Sequence, residues 1–168
     1  MTTLKILVTG AVGSGKTTLI RHLAAGEVVT TEAESTEVTD KPTTTVALDY
    51  GQLNVADYAV HLYGTPGQAR FEYMWETLSS GIDGMIVLVH AGHEDAERAT
   101  RHVLQTIRAA QGDIPFVVGV THTDLPDTTP LDTFQNMFSD TARATLPADV
   151  RDLEDGRTLL TRLLLHLS

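Results

Sequence analysis

The sequence predicts a single α/β domain in three layers, a mostly parallel sheet of six strands with helices on both faces. Three observations lead there. Strand-like and helix-like periods alternate along the chain, two strand-like runs are apolar at nearly every position, and a glycine-rich loop joins the first strand to the first helix. With 168 residues, read as one domain over 1–168, the chain is long enough to bury a core without disulfides.

Leu4 to Thr9 reads as a buried strand, and the loop after it opens a helix with Leu19, Ile20 and Leu23 on one face and Gly26 placed to end it. Val46, Leu48 and Tyr50 alternate with Ala47 and Asp49. Ala56, Tyr58, Val60 and Leu62 resume that period after a turn placed at Gly51 and Asn54, the pattern of an antiparallel hairpin. The runs Met85 to Val89 and Phe116 to Val120 are central parallel strands covered on both faces. Between them Ala96, Ala99, Val103, Ile107 and Ala110 recur at helical spacing, and Leu159, Leu160, Leu163, Leu164 and Leu167 form a closing helix.

One connection is unusual. Residues 27–44 have no clear period, are rich in threonine and glutamate, and hold five acidic residues with Lys41 their only basic one. Structureless connections beyond ~12–15 residues are either functional or disordered, and a mobile functional loop is both.

Twelve Lys plus Arg against 22 Asp plus Glu leave a net charge of -10, which disfavours nucleic-acid polymers and anionic membranes as partners. Cysteine is absent, which removes disulfides, thiolate nucleophiles, zinc–thiolate sites and lipidated cysteines. No apolar run reaches membrane-spanning length and Met1 to Lys5 starts no leader, so a soluble cytoplasmic protein without a direct membrane anchor is expected. The seven histidines show no metal-ligand spacing, and His90 and His93 read as part of a solvated loop.

GAVGSGKT, residues 10–17, fits G-x-x-x-x-G-K-[ST] at every fixed position, after a predicted strand and before a predicted helix. Gly10, Gly13 and Gly15 let the backbone, Ser14 included, wrap around a phosphate with its N–H groups and the helix N-terminus pointing inward. Lys16 would bridge β- and γ-phosphates, the Thr17 hydroxyl would hold magnesium, and Thr18 could donate to the α-phosphate. A turn that merely joins strand to helix would not need the Lys-Thr pair.

Residues 62–71 read LYGTPGQARF and 41–51 read KPTTTVALDYG. With the phosphate loop, they resemble the prokaryotic Ras-like small GTPases, a group that includes the bacterial polarity GTPases and the small GTPases encoded beside roadblock-type proteins. The resemblance covers essentially the whole chain, and its most specific pieces are 10–17, 45–51 and 63–71. It implies a P-loop, Ras-like fold, with 27–44 as a mobile first switch and 64–80 as a second.

By that resemblance Gly67 would offer its N–H to the γ-phosphate, and the Gln68 amide, able to donate and accept, would orient the attacking water. Thr45 would be the first-switch ligand to magnesium, with Thr44 its close competitor. Gly64 stands where the wider Ras-like pattern has a strand-terminal Asp, which predicts weaker metal fixation; Asp49 or Asp57 are candidate substitutes. Arg70 is the nearby arginine able to act in cis as a finger, and otherwise a partner supplies one. Trp75, with Phe71, Tyr73 and Met74, either packs under the following helix or serves a partner.

Thr121-His122-Thr123-Asp124 stands in the place of the family's Asn-Lys-x-Asp. The two oxygens of Asp124 can accept from guanine N1–H and the 2-amino group, donors that adenine does not offer there. Thr121 would partly replace the bridging Asn, His122 would stack on the base, and the Val150 N–H would reach the guanine carbonyl; capping of a turn by Asp124 is the plainer alternative. The resemblance thus implies a switch that binds GTP or GDP with magnesium and hydrolyses GTP slowly, aided by a roadblock-type partner. A nonhydrolysing nucleotide-locked scaffold, or a P-loop ATPase or phosphotransferase, are the alternatives.

Overall fold

The computed structural model describes residues 1–11, 13–24, 28–35, 44–65 and 80–167, with only the backbone for 28–35 and 44–48. In chain order the elements are β1 (Thr2–Gly10), α1 (Lys16–Leu23), β2 (Val28–Ser35), β3 (Thr44–Val55), β4 (Tyr58–Gly64), β5 (Gly84–His90), α2 (Ala96–Gln111), β6 (Phe116–Thr121), α3 (Leu131–Met137), β7 (Thr145–Pro147) and α4 (Leu153–Leu164).

The strands form one sheet in the order β2-β3-β4-β1-β5-β6-β7. Pairing is parallel from β4 through β1, β5 and β6 to β7, while β3 is antiparallel to both its neighbours. The class is the one expected: α/β, mostly parallel, with helices on both faces. The sheet has a seventh strand because β2 lies inside the stretch read as lacking regular structure. Val28–Ser35 pairs residue by residue with β3 from Gly51 back to Thr44. Its valines and threonines suit a strand, but an edge strand held by backbone pairing to one neighbour needs no apolar alternation, so no period marked it.

Alternation along β1 feeds two cores. Leu4, Ile6 and Val8 join Leu19, Ile20 and Leu23 of α1 and Leu159, Leu160 and Leu163 of α4. Leu7 faces the other way, with Val87 and Val89 of β5, Val103 and Ile107 of α2 and Phe134 of α3. Helix α1 has eight residues and no side-chain N-cap, too short to persist alone. Its three buried apolar side chains, at roughly 1.5–3 kcal/mol each, hold it against the sheet. It closes at Ala24, and Gly26, the expected stop, lies outside the described residues. Helix α4 starts differently: the Asp152 carboxylate accepts from the Glu154 N–H at 2.8 Å, an N-cap.

The hairpin turns at Ala56 and Asp57, not at Gly51 and Asn54, and Ala56 takes φ 51°. Gly51 sits inside β3 for a packing reason: a Cβ there would lie 2.7 Å from the Ala24 Cβ and 3.0 Å from the Ile20 Cγ2, so α1 rests directly on it. Among the described residues, no helix is long and apolar enough to cross a membrane. Because β4, β1, β5, β6 and β7 run parallel, the loops after their C-terminal ends meet along one edge of the sheet, where α/β proteins build their ligand sites.

Candidate functional site

The loop from β1 to α1 depends on two glycines. At Gly10, φ 151°, a Cβ would lie 2.4 Å from the Leu88 carbonyl oxygen. At Gly15, φ 107°, it would lie 2.7 Å from the Val150 Cγ2. Lys16 Nζ folds over the loop and donates to the Gly10 and Ala11 carbonyls at 2.8 and 2.9 Å. Burial lowers its pKa to about 8, an effect that the negative charge of Asp49 partly offsets.

Next on α1, the Thr17 hydroxyl donates to the Asp49 carboxylate. Asp49 is the β3 residue paired with Gly64, the last residue of β4. A Cβ on Gly64 would stand 3.2 Å from the Asp49 Cβ and 3.0 Å from the Ile20 Cδ1. Of the two carboxylates weighed as substitutes for the missing strand-terminal Asp, the structure brings Asp49 to Thr17, whereas Asp57 turns the hairpin at the far end of β4.

On the base side, Thr121 ends β6 and is buried. Its Oγ1 lies 3.0 Å from the Ser14 carbonyl oxygen and 3.3 Å from that of Val89, so its hydroxyl fastens this loop to the phosphate loop. Ser14 is buried behind the loop: its N–H donates to the Ala11 carbonyl at 3.2 Å, and its hydroxyl has no hydrogen-bond partner among the described residues. Gly10 and Ser14 therefore shape the loop from behind and do not line the cleft.

The cleft has a volume of about 760 Å³, within the ~300–1,000 Å³ usual for small-molecule sites. Gly13, Gly15, Lys16, Thr17 and Thr18 line it together with Thr121, His122, Asp124 and Val150. Val150 is buried, with its side chain packed over Gly15. Arg151, which sequence reasoning did not single out as a site residue, forks onto Asp149 through two 2.9 Å bonds, Nε to Oδ1 and Nη2 to Oδ2. Those bonds hold the Asp149 carboxyl at about 2. They also raise the Arg151 pKa, with a further pull from Asp124. An Asp-x-Arg spacing is ordinary turn chemistry, and only the fold brings it beside Asp124.

Thr44 and Thr45 begin β3 opposite Ser35 and Glu34 and are described in backbone only. Gly67, Gln68, Arg70 and Trp75 lie outside the described residues, as do 36–43 of the first switch and 66–79 of the second.

The elongation factor Tu GTP binding domain family matches residues 1–159. An uncharacterized protein of Methanocaldococcus jannaschii, MJ1339, is 30% identical over 125 residues, which make up 73% of this chain and 72% of that protein. The family match covers nearly the whole chain and shows a GTP-binding domain: the chain belongs to the elongation factor Tu GTP-binding domain family.

Proposed function

We propose that this GTP-binding domain is a small switch of the prokaryotic Ras-like kind, which binds GTP or GDP with magnesium, hydrolyses GTP slowly and changes its affinity for a partner. The observation that carries the reading is the meeting in one cleft of Lys16, Thr17 and Asp124, with Asp49 hydrogen-bonded to Thr17. Lys16 and the α1 N-terminus take the phosphates, and Asp124 selects guanine by accepting from N1–H and the 2-amino group.

Magnesium fits the donor set. The Thr17 hydroxyl and the Asp49 carboxylate are hard oxygens side by side, and this ion takes one or two carboxylates with phosphate oxygens and water. Thr45, or Thr44, adds a ligand from the first switch. When bound, the ion would neutralise charge building up on the β- and γ-phosphates. Gly67 meets the γ-phosphate and Gln68 orients the water. Segments 27–44 and 64–80 are the switches; either Arg70 serves as the finger in cis, or a roadblock-type partner supplies an arginine or repositions Gln68.

A nonhydrolysing scaffold is the second reading, favoured by Gly64 in place of the strand-terminal Asp. Two measurements decide. Calorimetry should give tighter binding of GTP than of ATP, and the reverse order removes the base assignment. Multiple-turnover phosphate release should be slow and lost in Gln68→Leu, with GTP affinity kept. No release with or without a roadblock-type protein, while GTP stays bound, leaves the scaffold.

A further inference from the structure

We propose that His90 is a positioning residue of the base pocket: it backs the His122 ring so that the purine stacks on the opposite face of His122. This rests on the guanine-nucleotide reading above. The two imidazoles are stacked, with centroids 3.7 Å apart and planes 5° from parallel. They come from separate strand ends. His90 closes β5 in register with Thr121, and His122, with φ 60°, turns the chain directly after β6. His122 lines the cleft and His90 does not, which puts His90 behind it.

Hydrogen bonding orients both rings. The Gly92 N–H donates to His90 Nδ1 at 3.0 Å, so that nitrogen is an acceptor and the ring proton sits on Nε2. The Thr121 hydroxyl reaches the Ser14 and Val89 carbonyls, which can only accept. Its one proton goes to them, and His122 Nδ1, 2.9 Å away, donates to the Thr121 oxygen. A continuous path thus runs from the phosphate loop through Thr121 and His122 to His90 and Gly92. Gly92 is shaped to the ring, since a Cβ there would lie 3.1 Å from the His90 Cε1. Gly92, His93, Glu94 and Asp95 are exposed, in keeping with the solvated loop expected from sequence, while His90 at its start is half-buried.

The stack has a pH dependence of known sign. Facing the pair are His93, edge-on to His90 at 6.4 Å, Asp149, whose carboxylate feels His122, and Asp124 with Arg151, which line the same cleft as His122. Burial, then the His122 and His93 rings, hold the His90 pKa below the ordinary 6.5, against a smaller opposing pull from its own backbone bond. The neutral ring is the folded form at pH 7.5, and protonation as pH falls past that lowered value removes the Nδ1 acceptor that Gly92 uses.

The test is the release of fluorescently labelled GDP from the magnesium-loaded chain at pH 7.5 and 5.5. His90→Ala should release it roughly three- to ten-fold faster at pH 7.5, the size of one lost aromatic pair. His90→Phe keeps the stack without the titratable nitrogen, so it should release slowly at both pH values, whereas wild-type release accelerates once the pH falls low enough to protonate His90. Wild-type release from His90→Ala, equal acceleration by Ala and Phe, or a wild-type pH step retained in His90→Phe would each overturn the role of His90. The last comparison stands even where His90→Ala does not fold. A wild-type chain that binds no labelled GDP removes the guanine reading itself, and this inference with it.

Discussion

The Thr17 hydroxyl donates a hydrogen bond to Asp49, a carboxylate that stands on β3 and not at the end of β4. The contact joins positions 32 apart in the chain. It depends on the antiparallel register that sets Asp49 opposite Gly64, because a glycine there leaves the space beside the phosphate loop to the neighbouring strand's side chain. A carboxylate thus stands beside the P-loop threonine, contributed by β3.

Asp49→Asn keeps the shape and removes the charge. A hydrogen bond to a charged group is worth about 1.5–3 kcal/mol, so the magnesium concentration that half-saturates retention of GTP should rise roughly ten- to a hundred-fold. Retention of GDP in the presence of chelator should change little, since no cation is then involved. Nucleotide release measured across a magnesium titration separates the two, and an equal loss in both conditions would assign Asp49 to the fold alone.

Gly64→Asp should not repair the site. The new Cβ would stand 3.0 Å from the Ile20 Cδ1 and 3.2 Å from the Asp49 Cβ, and a second carboxylate would face the first. Overpacking of this kind costs about 1–3 kcal/mol, read as a lowered Tm, with Gly64→Ala intermediate. In an Asp49→Ala background the same substitution should be better tolerated and should restore part of the magnesium dependence. The pair is in contact, so strong coupling is expected, and simply additive effects would sink the idea that 49 and 64 exchange one function.

What could be read from the sequence divides along local and long-range lines. The phosphate loop, the apolar runs of β5 and β6 and the leucine stripe of α4 are local patterns, and each stands where it was expected. β2 was invisible because its backbone pairing with β3 joins positions distant in the chain and leaves no local period. The hairpin turn was misplaced because Gly51 looks like a turn residue, although it is there to admit α1. Thr121, His122, Asp124 and Val150, singled out by their likeness to the base-binding positions of the Ras-like family, line the cleft. Their partners Ser14, His90, Asp149 and Arg151 were not paired with them, because those contacts cross between loops. Asp49 was one of two candidates until register decided between them.

At Lys16, nucleotide binding and stability should move oppositely with pH. Its pKa in the folded chain is about 8 against an ordinary 10.5, because burial disfavours the ammonium more than Asp49 favours it. Between those values the unfolded chain holds a proton that the folded one has lost. The stability of the nucleotide-free protein should therefore rise with pH across that window, and the cost of the buried charge is fully felt only below about 8. Binding of GTP needs the charged form, so its affinity should fall over the same window, by at most about tenfold per pH unit for a single proton. Comparing the Tm of the nucleotide-free chain with GTP affinity at pH 7, 8 and 9, at constant free magnesium, gives both slopes. Lys16→Met has no proton to exchange at this position and should flatten them both. If that variant keeps the wild-type rise in Tm, a different group is titrating.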